Sequence, residues 1–71
     1  MNPNSMLTVT EKTFLMTLKA CEVSAEQAIE WSEVMTDEEK EKTVDLFMEN
    51  PQITRQELTM GMIEIVKARN S

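Results

Sequence analysis

The sequence predicts an all-α protein, a compact bundle of four short helices, on three observations. The chain holds one glycine and two prolines, whereas turn-rich β folds need many of both residues. Four serine or threonine residues are each followed three positions later by glutamate or glutamine, a pattern that marks helix starts. Apolar residues recur with helical spacing after these starts. We therefore expect a single helical domain over residues 1–71.

Four capping pairs indicate where the helices begin. In each pair the two side chains can satisfy two unpaired backbone N–H groups reciprocally. The pairs are Thr8 with Glu11, Ser24 with Gln27, Thr36 with Glu39, and Thr54 with Glu57. Pro51 interrupts the chain before the last pair, because proline cannot continue a helix. The predicted helices cover residues 9–22, 25–35, 37–49 and 55–69.

The first three predicted helices each carry one apolar face. In chain order, the faces consist of Phe14, Leu15, Leu18 and Cys21; of Ala25, Ala28, Ile29, Ser32 and Met35; and of Val44, Phe47 and Met48. A helix with one such face packs it against a common core. We expect these residues to line the interior of the bundle.

The fourth predicted helix is apolar on two sides. One stripe consists of Leu58, Met62, Ile65 and Val66. Met60 and Ile63 lie on roughly the opposite side, and both sides need a cover. Two explanations are open: the helix is the central one of the monomer, or its second face docks against another chain together with Leu46 and Trp31. We take Trp31, Leu46, Met60 and Ile63 as the candidate interface and predict a homodimer.

Acidic residues are concentrated in the middle of the chain. Residues 22–49 hold ten acidic residues and two lysines, a net charge of −8, and the remainder holds three acidic and five basic residues, a net charge of +2. Helical spacing predicts two acidic stripes, and their candidate partner-binding members are Glu26, Glu30, Glu33, Glu38, Glu41 and Asp45. Such stripes keep a protein soluble, or they attract a partner with a basic surface.

The chain has few residues that could form a catalytic or cofactor site. There is no histidine, so the common general base and the usual nucleophile pairs are absent. Cys21 is the only cysteine and Gly61 the only glycine, which excludes a thiolate zinc site and a glycine-rich phosphate loop. We expect Cys21 to be a small buried apolar residue. The chain is predicted to be no enzyme and to need no cofactor or metal.

One segment resembles half of an EF-hand. The run NPQITRQEL places Ile53 and Glu57 where a calcium loop carries its central apolar residue and its bidentate carboxylate. The other half departs from the pattern, because Leu46 and Met48 stand where oxygen ligands are needed and Pro51 replaces the glycine of the sharp turn. We therefore expect no calcium site here.

Two segments resemble helix-turn-helix motifs. TVDLFMENPQITRQEL resembles the first helix and the start of the second in winged helix-turn-helix domains, but the remaining sequence, TMGMIEIVKARNS, offers no reading helix or wing. TLKACEVSAEQAIEWSEV resembles the motif more loosely, with Val23, Ala28 and Trp31 at its buried positions. Its reading helix would present Glu26, Glu30 and Glu33 to DNA, and carboxylates repel phosphate. Direct nucleic-acid binding is therefore not expected.

The sequence favours function through a surface. We expect a non-enzymatic acidic protein that binds another protein, as an inhibitor or regulator of a nucleic-acid-associated protein; phage and mobile-element inhibitors share this size and charge. The alternatives are a small helix-turn-helix DNA-binding regulator and a small assembly factor. A single cysteine, no basic leader and no long apolar run favour a cytoplasmic protein without a membrane segment.

Overall fold

The computed structural model describes residues 8–70, which form four α-helices and no strand. The helices are α1 (Val9–Ala20), α2 (Ala25–Val34), α3 (Asp37–Glu49) and α4 (Arg55–Ala68). The prediction of an all-α fold with four helices is confirmed. Every helix begins at the predicted residue, and three helices end one or two residues earlier than predicted.

The helix starts follow the predicted capping chemistry. The hydroxyl oxygens of Thr8 and Ser24 accept hydrogen bonds from the N–H groups three residues later, at 3.0 and 3.3 Å. Thr36 and Thr54 form complete reciprocal boxes with their glutamates. Such caps stabilise a helix by about 1 kcal/mol each.

The end of α1 shows why its predicted length was wrong. The Val23 N–H donates to the Leu18 carbonyl at 2.9 Å, and Glu22 adopts a left-handed φ of 65°. This is the Schellman arrangement, which ends a helix and usually places glycine at the left-handed position. Because this position holds a glutamate, the sequence does not indicate that α1 ends here.

The core lies where α1, α3 and α4 meet. Phe14, Leu18, Leu58 and Met62 are fully buried, and the fully buried Thr43 donates its hydroxyl to the Glu39 carbonyl at 3.0 Å. Helix α1 packs against α2 and α3, and α3 packs against α4. Helix α2 contributes only Ala28 to the buried set, so it covers one side of the core rather than occupying it.

A close approach of α3 and α4 depends on Gly61. A Cβ atom built on this glycine would lie 2.7 Å from the Leu46 Cδ1 atom. The missing side chain therefore lets Leu46 pack directly against the backbone of α4.

Candidate functional site

Helix α2 lies at the centre of the candidate site. Its three predicted acidic residues, Glu26, Glu30 and Glu33, are all exposed, while Ala28 faces the core. Ser24 starts the helix and the extended backbone at Met35 ends it. A groove runs along each flank of this helix, one toward α4 and one toward α1.

The α2–α4 groove has a volume of about 570 Å³. It is lined by Gln27, Glu30, Trp31, Glu33 and Val34 of α2 and by Thr59 of α4. Trp31 is half-buried and packs against the core, so its ring is anchored while part of it faces the groove. Val34 is 55% exposed and extends this apolar surface. The groove thus combines an apolar floor with two carboxylates.

A partly buried polar cluster joins the ends of α2 and α4 to the start of α3. The Arg69 guanidinium donates to both carboxylate oxygens of Glu39, from Nε at 2.9 Å and from Nη2, and Nη2 also donates to the Val34 carbonyl at 2.9 Å. These bonds, with the Thr36 N–H, lower the pKa of Glu39 to about 2. Because Arg69 is committed to Glu39, its charge does not offset Glu30 and Glu33.

A second polar cluster attaches α2 to α1 and α3. The Ser32 hydroxyl donates to Glu11 Oε1 at 2.9 Å, and the buried Lys40 ammonium lies 3.9 Å from the same oxygen. Lys40 also lies 5.9 Å from the centre of the Phe14 ring. In residues 8–70, no buried side-chain nitrogen or oxygen lacks a hydrogen-bond partner. This cluster therefore joins α1, α2 and α3 through polar contacts.

The three predicted acidic residues of α3 do not join those of the α2–α4 groove. Glu41 and Asp45 line a groove of about 290 Å³ against α1, where Thr10 donates to Glu41 at 3.4 Å. Glu38 lines another groove, near the C-terminal end of α4, and lies 3.9 Å from Lys42. All three side chains are exposed. The acidic surface is thus distributed over separate grooves.

The four predicted interface residues lie on three helices. Trp31 lines the α2–α4 groove, and Leu46 is half-buried against Gly61. On α4, Met60 is 57% exposed and Ile63 is half-buried. Three residues that the sequence assigned to the interior are in fact exposed: Ala25, Ile29 and Met48.

The α1–α2 groove was not foreseen from the sequence. It has a volume of about 410 Å³ and a mainly apolar lining of Leu15, Lys19, Val23, Ala25, Ala28 and Ile29. Periodicity could have suggested it, since Leu15 and Ile29 both stand at the margin of an apolar stripe.

The residues considered for chemistry are engaged in structure. Cys21 is buried, and burial raises the pKa of its thiol, which weakens it as a nucleophile. Glu57, the candidate calcium ligand, accepts the Thr54 N–H at 3.0 Å in its capping box. Residues 8–70 contain no group of three potential ligand side chains placed to hold a metal ion. None of their helices combines the length and apolar character that crossing a bilayer requires.

Comparison with protein-family models, with curated proteins and with solved structures found no match to this chain.

Proposed function

We propose that this chain is a non-enzymatic binding protein that captures a basic segment of another protein in the α2–α4 groove. The observation that carries the proposal is the presence of Trp31, Glu30 and Glu33 in one groove. An aromatic ring beside carboxylates suits an arginine or lysine side chain, which needs both an apolar surface for its stem and an anion for its head.

The anchored tryptophan supplies most of the specificity in this proposal. A guanidinium stacked on the Trp31 ring gains a cation–π attraction of roughly 0.5–2 kcal/mol. Tryptophan is also among the residues that dominate binding energy at protein interfaces. Because Trp31 packs against the core, little side-chain entropy is lost when a partner binds.

Charge determines which partners can approach. The chain has a net charge of −6, and the exposed side of α2 carries Glu26, Glu30 and Glu33. Such a field speeds encounter with basic surfaces and repels phosphate. Proteins that act on nucleic acids commonly present basic surfaces, so we propose that the partner belongs to this class and that binding inhibits or regulates it.

We also propose that the protein works as a homodimer. A chain of 71 residues buries a small core, and several large apolar side chains remain exposed on its surface. The second face of α4, with Met60 and Ile63, is the seam expected from the sequence.

The proposal can be tested by calorimetric titration with a synthetic amphipathic helix that carries arginines beside leucines. We expect salt-sensitive binding. The double substitution Glu30→Lys/Glu33→Lys should weaken binding about ten-fold or more at low salt. Trp31→Leu, which keeps an apolar contact but removes the ring face, should weaken it about 3- to 30-fold.

Two controls make this experiment decisive. Glu49→Lys/Glu64→Lys reverses two exposed acidic residues that do not line the α2–α4 groove, and it should weaken binding much less. A matched peptide with glutamines in place of the arginines should not bind. Equal losses for the two double substitutions would overturn the groove as the site. Tight, salt-dependent binding of a duplex DNA oligonucleotide would instead support a DNA-binding regulator.

A further inference from the structure

We infer that a second copy of this chain docks on the face formed by α1 and α2, with Ile29 of each copy seated in the α1–α2 groove of the other. The inference rests on the proposed homodimer and not on the proposed basic partner. It replaces the seam on α4 with a surface that sequence reasoning did not identify.

The first observation is the amount of apolar surface left uncovered on this face. Ile29 is 57% exposed and Met16, on the outer side of α1, is 69% exposed. Between the two helices lies the α1–α2 groove, whose lining is apolar except for Lys19. The groove can therefore accept an apolar side chain. Ile29 of a second copy is apolar and exposed, so it can fill this groove.

The second observation is that the charges on this face are self-complementary. Lys12 and Lys19 are exposed on α1 and lie seven positions apart, two helical turns or about 10.5 Å. Glu26 and Glu33 are exposed on α2, one turn on either side of Ile29, with the same separation. In a two-fold pair the basic pair of one copy meets the acidic pair of the other, and the contact occurs twice.

The third observation is that this seam leaves the Trp31 ring of the proposed partner site open, while Glu33 borders both surfaces. Ile29 and Trp31 are two positions apart on α2, which turns their side chains about 200° away from each other. Docking on the α1–α2 side consequently does not cover the Trp31 ring. By contrast, Met60 and Ile63 line none of the grooves described above, and Ile63 is already half-buried within the monomer.

The test is the mass of the full chain by sedimentation equilibrium. The unsubstituted chain should be a dimer. Ile29→Asp should raise its dissociation constant at least about ten-fold, because an unpaired carboxylate would enter an apolar groove. Ile63→Asp should leave the mass unchanged. Since Ile29 is exposed in the monomer, circular dichroism should report an intact helical fold, and Ile29→Ala provides a milder variant with a smaller shift.

A charge exchange gives an independent readout. Lys12→Glu/Lys19→Glu should weaken the dimer, as should Glu26→Lys/Glu33→Lys, and combining the four substitutions should restore it. A monomeric unsubstituted chain would overturn both the homodimer and this seam. A dimer that Ile63→Asp dissociates and Ile29→Asp does not would keep the homodimer and overturn this seam. Peptide binding in the α2–α4 groove is measured separately on the Ile29 variants, because Glu33→Lys also changes that groove.

Discussion

Helices α2 and α4 each follow the preceding helix after a short turn, and the bundle holds them in different ways. Each begins at a hydroxyl N-cap preceded by an apolar residue, Val23 or Ile53. Helix α4 then fully buries Leu58 and Met62, whereas α2 buries only Ala28. Although the two helices begin in a similar way, α4 packs into the core and α2 packs on its outside.

Two hydrogen bonds also attach α2 to the other helices. Ser32 is held by Glu11, and the Val34 carbonyl is held by Arg69. Hydrogen bonds of this kind contribute about 1 kcal/mol each, and less when exposed. Helix α2 therefore keeps most of its side chains exposed for contacts with other molecules, because its attachment uses few of them.

Truncating one buried residue on each helix tests whether α4 contributes more to stability than α2. Leu58→Ala should lower the free energy of unfolding by about 2–5 kcal/mol, because it removes a fully buried side chain and leaves a cavity. Ala28→Gly should lower it by about 1 kcal/mol, mainly through helix propensity. Urea unfolding followed by circular dichroism measures both. Similar losses at the two positions would contradict the different roles of the helices.

A second test concerns the close contact between α3 and α4. In a Leu46→Ala background, Gly61→Ala should stabilise the protein by about 1 kcal/mol, because alanine is the better helix former. In the unsubstituted protein the new methyl group would meet Leu46, so that gain should be lost or reversed. A double-mutant cycle should therefore give a coupling of about 1 kcal/mol or more between the two sites. Additive effects would show that Leu46 moves aside without cost.

The smallest expected effect is the acid sensitivity of the bond network at the end of α2. The pKa of Glu39 is lowered from 4.5 to about 2, so its contribution is present above pH 4.5 and is lost as the pH falls toward 2. Arg69→Met should remove most of this pH-dependent contribution, because Arg69 is the main cause of the lowered pKa, and should lower stability at neutral pH. Unfolding curves should then change less between pH 4.5 and pH 2 than those of the unsubstituted protein. Arg55→Met, at the start of α4, should leave the pH profile unchanged.

The features that sequence predicts well here are local ones. Each helix start depends on a hydroxyl and a side chain three residues later, as at Thr36 and Glu39, and this chemistry is visible in the sequence. Helix ends are less visible, because Glu22 stops α1 in a conformation that usually belongs to glycine. The full burial of Leu58 and Met62 follows from their helical spacing.

The candidate site depends on how the helices are arranged, and the sequence leaves that open. Ile29 follows the apolar period of α2 but is exposed at the groove between α1 and α2. Lys40 looks like a surface lysine in a charged run, yet it is buried beside Glu11 and Phe14. The acidic residues of α2 and α3 are equally spaced in the sequence and end in different grooves. The burial of these residues depends on how the helices cross. The spacing of residues along a single helix does not predict that crossing.

Trp31 is the only tryptophan in the chain, and there is no tyrosine. The intrinsic ultraviolet emission of this protein therefore arises from one indole ring at the floor of the α2–α4 groove. Any ligand that enters the groove changes the polarity around that ring and should shift the emission without an added label. The protein thus carries a built-in optical reporter at the surface where we propose that its partner binds.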